Sequence, residues 1–544
     1  MNRQTAFMVG LSAILFARSI PAQTSSADSL RRVALASYDE KNYPHSATAY
    51  AALARLPDVT AVDLYNAACS FALAGNIDQA FHYLERAITN GFDAYTPMRV
   101  DPDLTAVRAD KRWRALASRI DEKEREKAKI LASLPNATKP FSDIGKTGFL
   151  PALVSLEAMH RDSDAPLEWR NLVGEVLAWT RAMVGDVGGA IALYDSLGEA
   201  PGGSVPTDFY SYAPISAVDA ILSAARKTRV VMINEAHHVP MHRVLTTELL
   251  SGLYAEGYRY LALEAVNTVG AATAAHPTLK TGTYTKDPVF ADMLRAAAKL
   301  GFIVVAYDTF PAGCVATADN PGKCFTARDS MAAVNLYRQT FAKDHAAKVV
   351  VHAGYSHVVE TQSFAGSAKA LAYWLAWMTG IDPLTVDQTV MYGHSSSRYD
   401  SPEYRATLQR GWLKEPVVLR KPDGSYYRSP SGGFIGVDMQ VFAPPTAELD
   451  GRPDWLFNRL RRARVRTDSI RDDKGRLLQS LIPDGPGPFL IQAFEEGEGA
   501  DAIPYDQYVT AGGTVGALAL TRGRYEVRIS GPGGAITTTS INVP

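Results

Sequence analysis

The sequence predicts a multi-domain α/β protein with an all-α N-terminal part, a central and mainly parallel α/β sheet, and a small C-terminal β-sandwich. The chain has 544 residues, which is more than one hydrophobic core usually holds. Alanine and aromatic residues recur at helical spacing in the first third of the chain. From about residue 215, short β-branched runs alternate with amphipathic helices, as in parallel sheets. We place the domains at residues 23–125, 126–204, 205–445 and 446–544.

The first 22 residues have the pattern of a secretory signal peptide. Asn2 and Arg3 form a short polar and basic start, Ala6–Ala17 is apolar, and small residues surround Ala22. No later stretch reaches the about 18 consecutive apolar residues that a membrane helix requires, so we expect no integral membrane segment. The sequence therefore predicts a periplasmic or secreted protein.

The charge balance limits the partners. The chain carries 56 Lys and Arg against 57 Asp and Glu, and its pI is near 6.8. Without an excess of positive charge, nucleic acid is not an expected partner. We expect a small-molecule or peptide substrate.

Export would allow a disulfide, and the chain has three cysteines. Cys314 and Cys324 lie in a Gly- and Pro-rich segment and are the natural pair. Cys69 lies in the helical run Leu64–Ala74, so we expect it to be a small buried apolar residue.

The N-terminal helices have a paired pattern. In Ala61–Asn90, small residues fall where two helices would approach each other, around Cys69 and Ala80. This segment resembles a tetratricopeptide repeat, residues 28–56 resemble a weaker preceding unit, and Val173–Leu197 has similar spacing. The resemblance implies a concave surface for a peptide or protein partner. The alternatives that these helices only brace the next domain, or that the whole chain is a non-catalytic scaffold, remain open.

The central region has five predicted strands, and polar residues follow each of them. The strands are Thr228–Ile233, Tyr258–Leu263, Phe302–Ala306, Lys348–Val351 and Leu384–Met391. The polar residues that follow them, in the same order, are Glu235, His237, His238 and His242; Glu264; Asp308; His352 and His357; Tyr392 and His394. Open α/β sheets bind ligands at the carboxyl ends of their strands, so we predict a functional site at this edge.

His237 is the candidate reactive residue. Its spacing of five residues from His242 would not place both on one face of a helix, so the pair differs from the His-Glu-x-x-His arrangement of zinc proteases. A neutral imidazole accepts a proton from water, and Glu264 would hold the other ring nitrogen. His357 would stabilise the developing negative charge, and Glu235 is a further catalytic candidate. In a variant of this hypothesis, a divalent metal such as Zn²⁺ is held by His237, His242, Glu264 and His357.

Three short motifs in this region resemble known families. Asn234-Glu235-x-His237-x-x-Pro240-x-His242 resembles the Gly-Glu-x-His…Pro-x-His motif of ChaN-like haem-binding proteins, with Asn234 in place of Gly. Leu263-Glu264 is similar to the Glu at the next strand end of that family. Gly354-x-x-His357 resembles a Gly-x-x-His motif shared with TIKI/TraB-type proteins and erythromycin esterases.

The resemblance covers roughly residues 215–445 and implies an α/β domain of one of three kinds. Members of these families are metal-free esterases that use His and Glu, metal-dependent proteases, or haem-binding proteins. The first kind implies an exported hydrolase that attacks an ester or amide. The alternative is a haem-binding protein that uses the same edge, with Tyr392 or His352 as an iron ligand.

Beyond about residue 445 the helical pattern ends. Strand-like runs at Phe489–Phe494, Val515–Leu520 and Tyr525–Ile529 are separated by Gly-containing turns. These runs predict the small antiparallel β-sandwich.

Overall fold

The structure is a computed structural model that describes residues 26–544 except 57–58, 91, 93–94, 133, 199, 202–203, 267–275, 310–313, 315–322, 364–367, 430–435, 533 and 535. The predicted signal peptide, residues 1–22, lies outside the described residues. Within the described ranges, no helix has both the length and the apolar character needed to cross a membrane.

The chain forms two compact units, the first made of the residues up to Phe92 together with Thr105–Val107, and the second made of the remainder. The first unit contains helices α1 (Ser26–Asp39), α2 (Tyr43–Leu53), α3 (Ala61–Leu73) and α4 (Ile77–Thr89). Helix α3 begins with a capping box, in which the Thr60 hydroxyl accepts from Asp63 N and the Asp63 carboxylate accepts from Thr60 N. Gly75, with φ 79°, allows the tight turn into α4. The predicted helical character is confirmed, and the tetratricopeptide identity stays a prediction.

Further helices follow along the chain. They are α5 (Tyr95–Val100), α6 (Thr105–Ala109), α7 (Trp113–Ala132), α8 (Leu134–Ser142), α9 (Ile144–Thr147), α10 (Phe149–Arg161), α11 (Leu167–Met183), α12 (Val187–Leu197), α13 (Ala217–Ala225), α14 (Met241–Ala255), α15 (Pro288–Leu300), α16 (Lys323–Gln339), α17 (Leu371–Thr379), α18 (Pro402–Gln409) and α19 (Trp455–Asn458). Two of them, α11 and α12, contribute side chains to the site described below.

The second unit is built around an eight-stranded, mainly parallel sheet. Its strands are β1 (Ala213–Ser216), β2 (Val230–Glu235), β3 (Tyr260–Leu263), β4 (Ile303–Ala306), β5 (Val349–Gly354), β6 (Leu384–Asp387), β7 (Val417–Arg420) and β8 (Met439–Phe442). The spatial order is β1-β7-β8-β6-β2-β5-β3-β4. The pairs from β8 to β4 are parallel, whereas β1–β7 and β7–β8 are antiparallel.

The predicted strands correspond to β2–β6, with one change of boundary and three additions. Strand β6 ends at Asp387 rather than at Met391, because Asp387 turns its carboxylate back to the backbone N of Thr389. Strands β1, β7 and β8 were not predicted. Each has only four residues, which is too short for an apolar period to stand out from the neighbouring loops.

Helices cover both faces of this sheet. Strand β2 is buried throughout, and its alternate side chains enter two different cores. Val231 and Ile233 pack with α13, α14 and α15, whereas Val230 and Met232 pack with α16 and α17. The loops that leave the strands at the carboxyl end are therefore held between two layers of helices.

The C-terminal region is antiparallel. Its strands are β9 (Ala463–Arg466), β10 (Phe489–Glu495), β11 (Asp506–Thr510), β12 (Ala517–Leu520), β13 (Gly523–Ser530) and β14 (Ile536–Val543). Four of them form a sheet of order β11-β10-β13-β14, and β9 pairs with β12. The antiparallel β character agrees with the prediction, and the sandwich arrangement stays a prediction. Cys314 and Cys324 form the predicted disulfide, and Cys69 is buried.

Candidate functional site

A cavity of about 680 Å³ lies at the carboxyl ends of the central strands. Strands β2, β3, β4 and β5 deliver to it, in that order, His237, Glu264, Asp308 and Gly354. His357 joins them from the short 3-10 helix Tyr355–Val358 that follows β5. Aromatic side chains complete the walls: Trp179 of α11, Tyr194 of α12, Tyr284, Phe325 and Tyr355. The cavity is therefore aromatic on one side and ionic on the other.

His237 is held from several directions and presents one nitrogen to the cavity. Its Nδ1 lies 2.9 Å from Glu235 Oε1. Because a carboxylate only accepts hydrogen bonds, Nδ1 carries the hydrogen and Nε2 keeps its lone pair when the ring is neutral. The ring stacks on Tyr284 with centroids 3.7 Å apart, and Trp179 meets it edge-on at 5.9 Å. Among the described residues, Nε2 has no hydrogen-bond partner.

Glu235 is a buried carboxylate with several donors around it. Arg243 donates from Nε to Oε2 at 2.6 Å and from Nη2 to Oε1 at 3.0 Å, and His352 Nε2 lies 2.9 Å from Oε2. Burial raises the pKa of a carboxyl group, but the Arg243 guanidinium and the two imidazoles outweigh it and hold the pKa of Glu235 well below its usual range. Glu235 is therefore a fixed negative charge behind His237.

The ionic wall combines two cations with three carboxylates. Arg328 donates from Nη2 to Glu264 Oε1 at 2.6 Å and to Asp308 Oδ2 at 2.7 Å. His357 Nδ1 lies 2.7 Å from Asp329 Oδ2, and its Nε2 lies 3.5 Å from Glu264 Oε1. Both cations line the cavity.

The charge states of this wall follow from its pairing. Burial lowers the pKa of His357, but Glu264 and Asp329 outweigh it and raise the pKa to about 10, so this imidazole is a cation at neutral pH. Burial likewise raises the pKa of Glu264, but His357 and Arg328 hold it well below its usual range. His357 is therefore a charge stabiliser rather than a base.

Gly354 permits the two walls to approach each other. A Cβ at this position would lie 2.7 Å from His237 Nε2 and 3.0 Å from Glu264 Oε2, both too close for a real side chain. Its backbone N also donates to Glu264 Oε2 at 2.5 Å. The Gly-x-x-His motif thus supplies a small residue where the reactive nitrogen meets the ionic wall.

The structure changes the predicted role of Glu264. The sequence favoured Glu264 as the residue that orients His237, but Glu235 bonds His237 instead. Glu264 accepts from Gly354 N and Arg328, and so belongs to the ionic wall. The reason is local, because Glu235 is the last residue of β2 and lies only two residues before His237.

The predicted metal set does not fit a single ion. Although all four residues are described, no three of His237, His242, Glu264 and His357 bring ligand atoms within 4.8 Å of one another. His242 points away from the cavity, and its Nδ1 accepts from Ala236 N at 3.0 Å. Burial lowers the pKa of His242 to about 3, which keeps it neutral. No step below uses a metal.

The predicted haem ligands do not line this cavity either. His352 is buried between Glu235 and the Thr246 hydroxyl, which lies 3.0 Å from its Nδ1. Tyr392 is buried, with its hydroxyl 3.3 Å from His238 Nε2. Neither side chain faces the space that His237 opens onto, so these two residues do not fit an iron-ligand role there.

Several site residues were missed by the sequence reasoning. Arg328 and Asp329 lie in α16, Arg243 in α14, and Trp179 and Tyr194 in helices before the sheet. Only the packing of these helices against the strand ends brings them into place. The adjacent Arg328-Asp329 pair in an otherwise apolar segment was the one local signal available.

Comparisons with known proteins add little. No family model matches the chain, and no curated protein matches it. The solved structure of the type III effector HopBA1 matches with 17% sequence identity, over 35% of this chain and 94% of that chain, with a TM-score of 0.23. A likeness at that TM-score carries no argument about fold or function.

Proposed function

We propose that the protein is a hydrolase in which His237 activates a water molecule for attack on an ester or amide carbonyl. One observation carries the proposal. The Nε2 lone pair of His237 opens onto a cavity of about 680 Å³, while its Nδ1 is held by a buried carboxylate. An imidazole oriented in this way is the usual form of a general base.

The proposed reaction uses three groups of the chain. A water molecule gives a proton to His237 Nε2 as its oxygen bonds to the carbonyl carbon, and the carbonyl electron pair moves onto oxygen. Arg328 and His357, both positively charged, stabilise that oxyanion. The intermediate then releases the alcohol or amine, which takes the proton back from Nε2. Glu235 stabilises the imidazolium that exists between the two transfers.

The resemblance to erythromycin esterases and ChaN-like proteins agrees with this proposal at Glu235, His237 and His357. We also propose that the enzyme acts outside the cytoplasm, because of the signal-peptide pattern in residues 1–22. A protein or peptide partner on the helical repeats is a further proposal that rests on the tetratricopeptide resemblance alone.

The test replaces His237 by Ala in the full chain and follows hydrolysis of 4-nitrophenyl butyrate and a panel of unactivated esters. We expect kcat/KM to fall by about 10²–10⁴-fold, the usual contribution of a general base. His345→Ala is the matched control, because His345 is exposed and lies outside the cavity. Equal activity of His237→Ala and His345→Ala would overturn the proposal.

A further inference from the structure

A second, smaller cavity of about 290 Å³ adjoins the first. Tyr194 and Tyr355 line both cavities, and their hydroxyls are 3.3 Å apart. The remaining walls of the second cavity are largely aromatic and include His238, Tyr392 and Tyr399. The proposed hydrolysis makes no use of this space.

The second cavity contains its own imidazole–carboxylate pair. His394 Nδ1 lies 2.7 Å from Asp195 Oδ1, and Asp195 Oδ2 accepts from Ser395 N at 2.8 Å and from Ser395 Oγ at 2.6 Å. Because the carboxylate only accepts, His394 carries a hydrogen on Nδ1. Its Nε2 has no hydrogen-bond partner in the described part of the chain, and His394 lines the cavity.

The backbone at Tyr355 indicates that the aromatic wall is built rather than incidental. Tyr355 has φ 41°, a conformation that a bulky side chain adopts only when its surroundings enforce it. In this conformation its ring meets His237 edge-on at 5.1 Å, and its hydroxyl lies 3.4 Å from His238 Nδ1. The same side chain therefore borders the reactive imidazole and the second cavity.

We infer that the second cavity is a binding site for a hydroxyaryl group, whose ring stacks among the tyrosines and whose hydroxyl bonds His394 Nε2. A phenolic hydroxyl both donates and accepts, so it satisfies Nε2 whether the imidazole is neutral or charged. An organic cation fits less well, because both oxygens of Asp195 are already bonded to His394 and Ser395. The aromatic walls favour a flat ring over an aliphatic chain of the same volume.

Hydroxyaryl chemistry has two sources, which are a group on the substrate itself and a separate phenolic ligand. The binding site stands on its own residues and does not depend on hydrolysis. It is therefore tested first by binding, and its source is decided afterwards by kinetics.

The binding experiment titrates p-cresol and toluene, which differ only by the hydroxyl, into the full chain and follows them by ligand-observed NMR. We expect p-cresol to bind about tenfold more tightly than toluene, the effect of one well-placed hydrogen bond. In His394→Asn the preference disappears, because the amide N–H reaches Asp195 as Nδ1 does but nothing replaces Nε2. In His237→Ala the preference remains, which separates this site from the hydrolytic one.

Equal binding of p-cresol and toluene would overturn the inference, and so would a preference that survives in His394→Asn. His345→Ala again serves as the histidine control, and thermal unfolding of each variant checks that it is folded. If His237→Ala shows that hydrolysis is absent but the p-cresol preference is present, the binding site stands and the proposed hydrolase fails.

The kinetic arm distinguishes the two sources with 4-hydroxybenzyl butyrate as the substrate. Competitive inhibition by p-cresol supports a substrate group in the second cavity. Inhibition that changes kcat alone supports a separate phenolic ligand. An absence of any effect at saturating p-cresol would overturn a site that adjoins the reactive imidazole.

Discussion

The two imidazole–carboxylate pairs of the second unit have the same local chemistry and different surroundings. In each, Nδ1 lies within 3 Å of a carboxylate oxygen, at 2.9 Å for His237 and 2.7 Å for His394. His237 shares its cavity with the cations Arg328 and His357, whereas the lining of the other cavity contains no Arg or Lys. An oriented base accelerates hydrolysis only where developing charge is also stabilised. The first pair therefore suits catalysis and the second suits binding.

The largest expected effect separates the two pairs directly. His237→Ala lowers kcat for every ester by about 10²–10⁴-fold, because the base itself is lost. His394→Ala raises KM for hydroxyaryl esters by about tenfold, because one hydrogen bond to the substrate is lost. Steady-state kinetics on both variants checks this division. A fall in kcat of similar size in both would remove the distinction between them.

The carboxylates of the two pairs also differ in what holds them. Arg243 is fully buried against Glu235, so Arg243→Ala leaves an unpaired buried charge and costs about 3–5 kcal/mol of unfolding free energy. The exposed pair of Arg226 and Glu256 is the control, and Arg226→Ala costs about 0–1 kcal/mol. Denaturant unfolding measures both. Equal costs would show that Arg243 is not needed to hold the Glu235 charge.

Gly354 belongs to the first pair alone. Gly354→Ala places a methyl group against His237 and Glu264, and we expect kcat/KM to fall by about 10²-fold through misplacement of the base. Gly145→Ala is the control, because the nearest atom to a Cβ there is 3.9 Å away. Hydrolysis of 4-nitrophenyl butyrate by the folded variants checks the prediction, and full activity of Gly354→Ala would contradict the close approach.

The cation beside the first pair gives the smallest of these effects, a pH dependence of stability. Although burial lowers the pKa of His357, its carboxylates raise it to about 10, above the value of about 6.5 for an unfolded histidine. The stabilisation is therefore fully present below about pH 6.5 and is lost as pH rises through about 10. Thermal unfolding across this range should fall more steeply for the wild type than for His357→Gln. Parallel curves would contradict the charged state.

The parts that could be predicted from sequence are those fixed by local pattern. Strand β2 and the polar residues after it follow from an apolar run and from the rule that parallel strands end at one edge. That rule placed His237, Glu264, Asp308 and His357 at one cavity. The partners of those side chains could not be predicted in the same way. Arg328 and Tyr194 arrive on helices far away in the chain, and only tertiary packing decides which carboxylate each imidazole meets.

His242 shows the limit most clearly. Its place in the motif predicted a ligand or a base, but the turn after β2 directs its Nδ1 to the backbone N of Ala236. Residue type and spacing alone did not separate it from His237, because both lie within eight residues of the strand end. The difference lies in which ring faces the cavity.

The most direct test of the central claim is chemical rescue of His237→Ala by free imidazole. Removal of the side chain leaves room for an imidazole molecule beside Tyr284 and Glu235, where it would accept the proton from water. We expect ester hydrolysis by His237→Ala to rise with imidazole concentration and to saturate, while His345→Ala shows no such response. Hydrolysis by His237→Ala at the wild-type rate without imidazole would contradict the role of His237 as the general base.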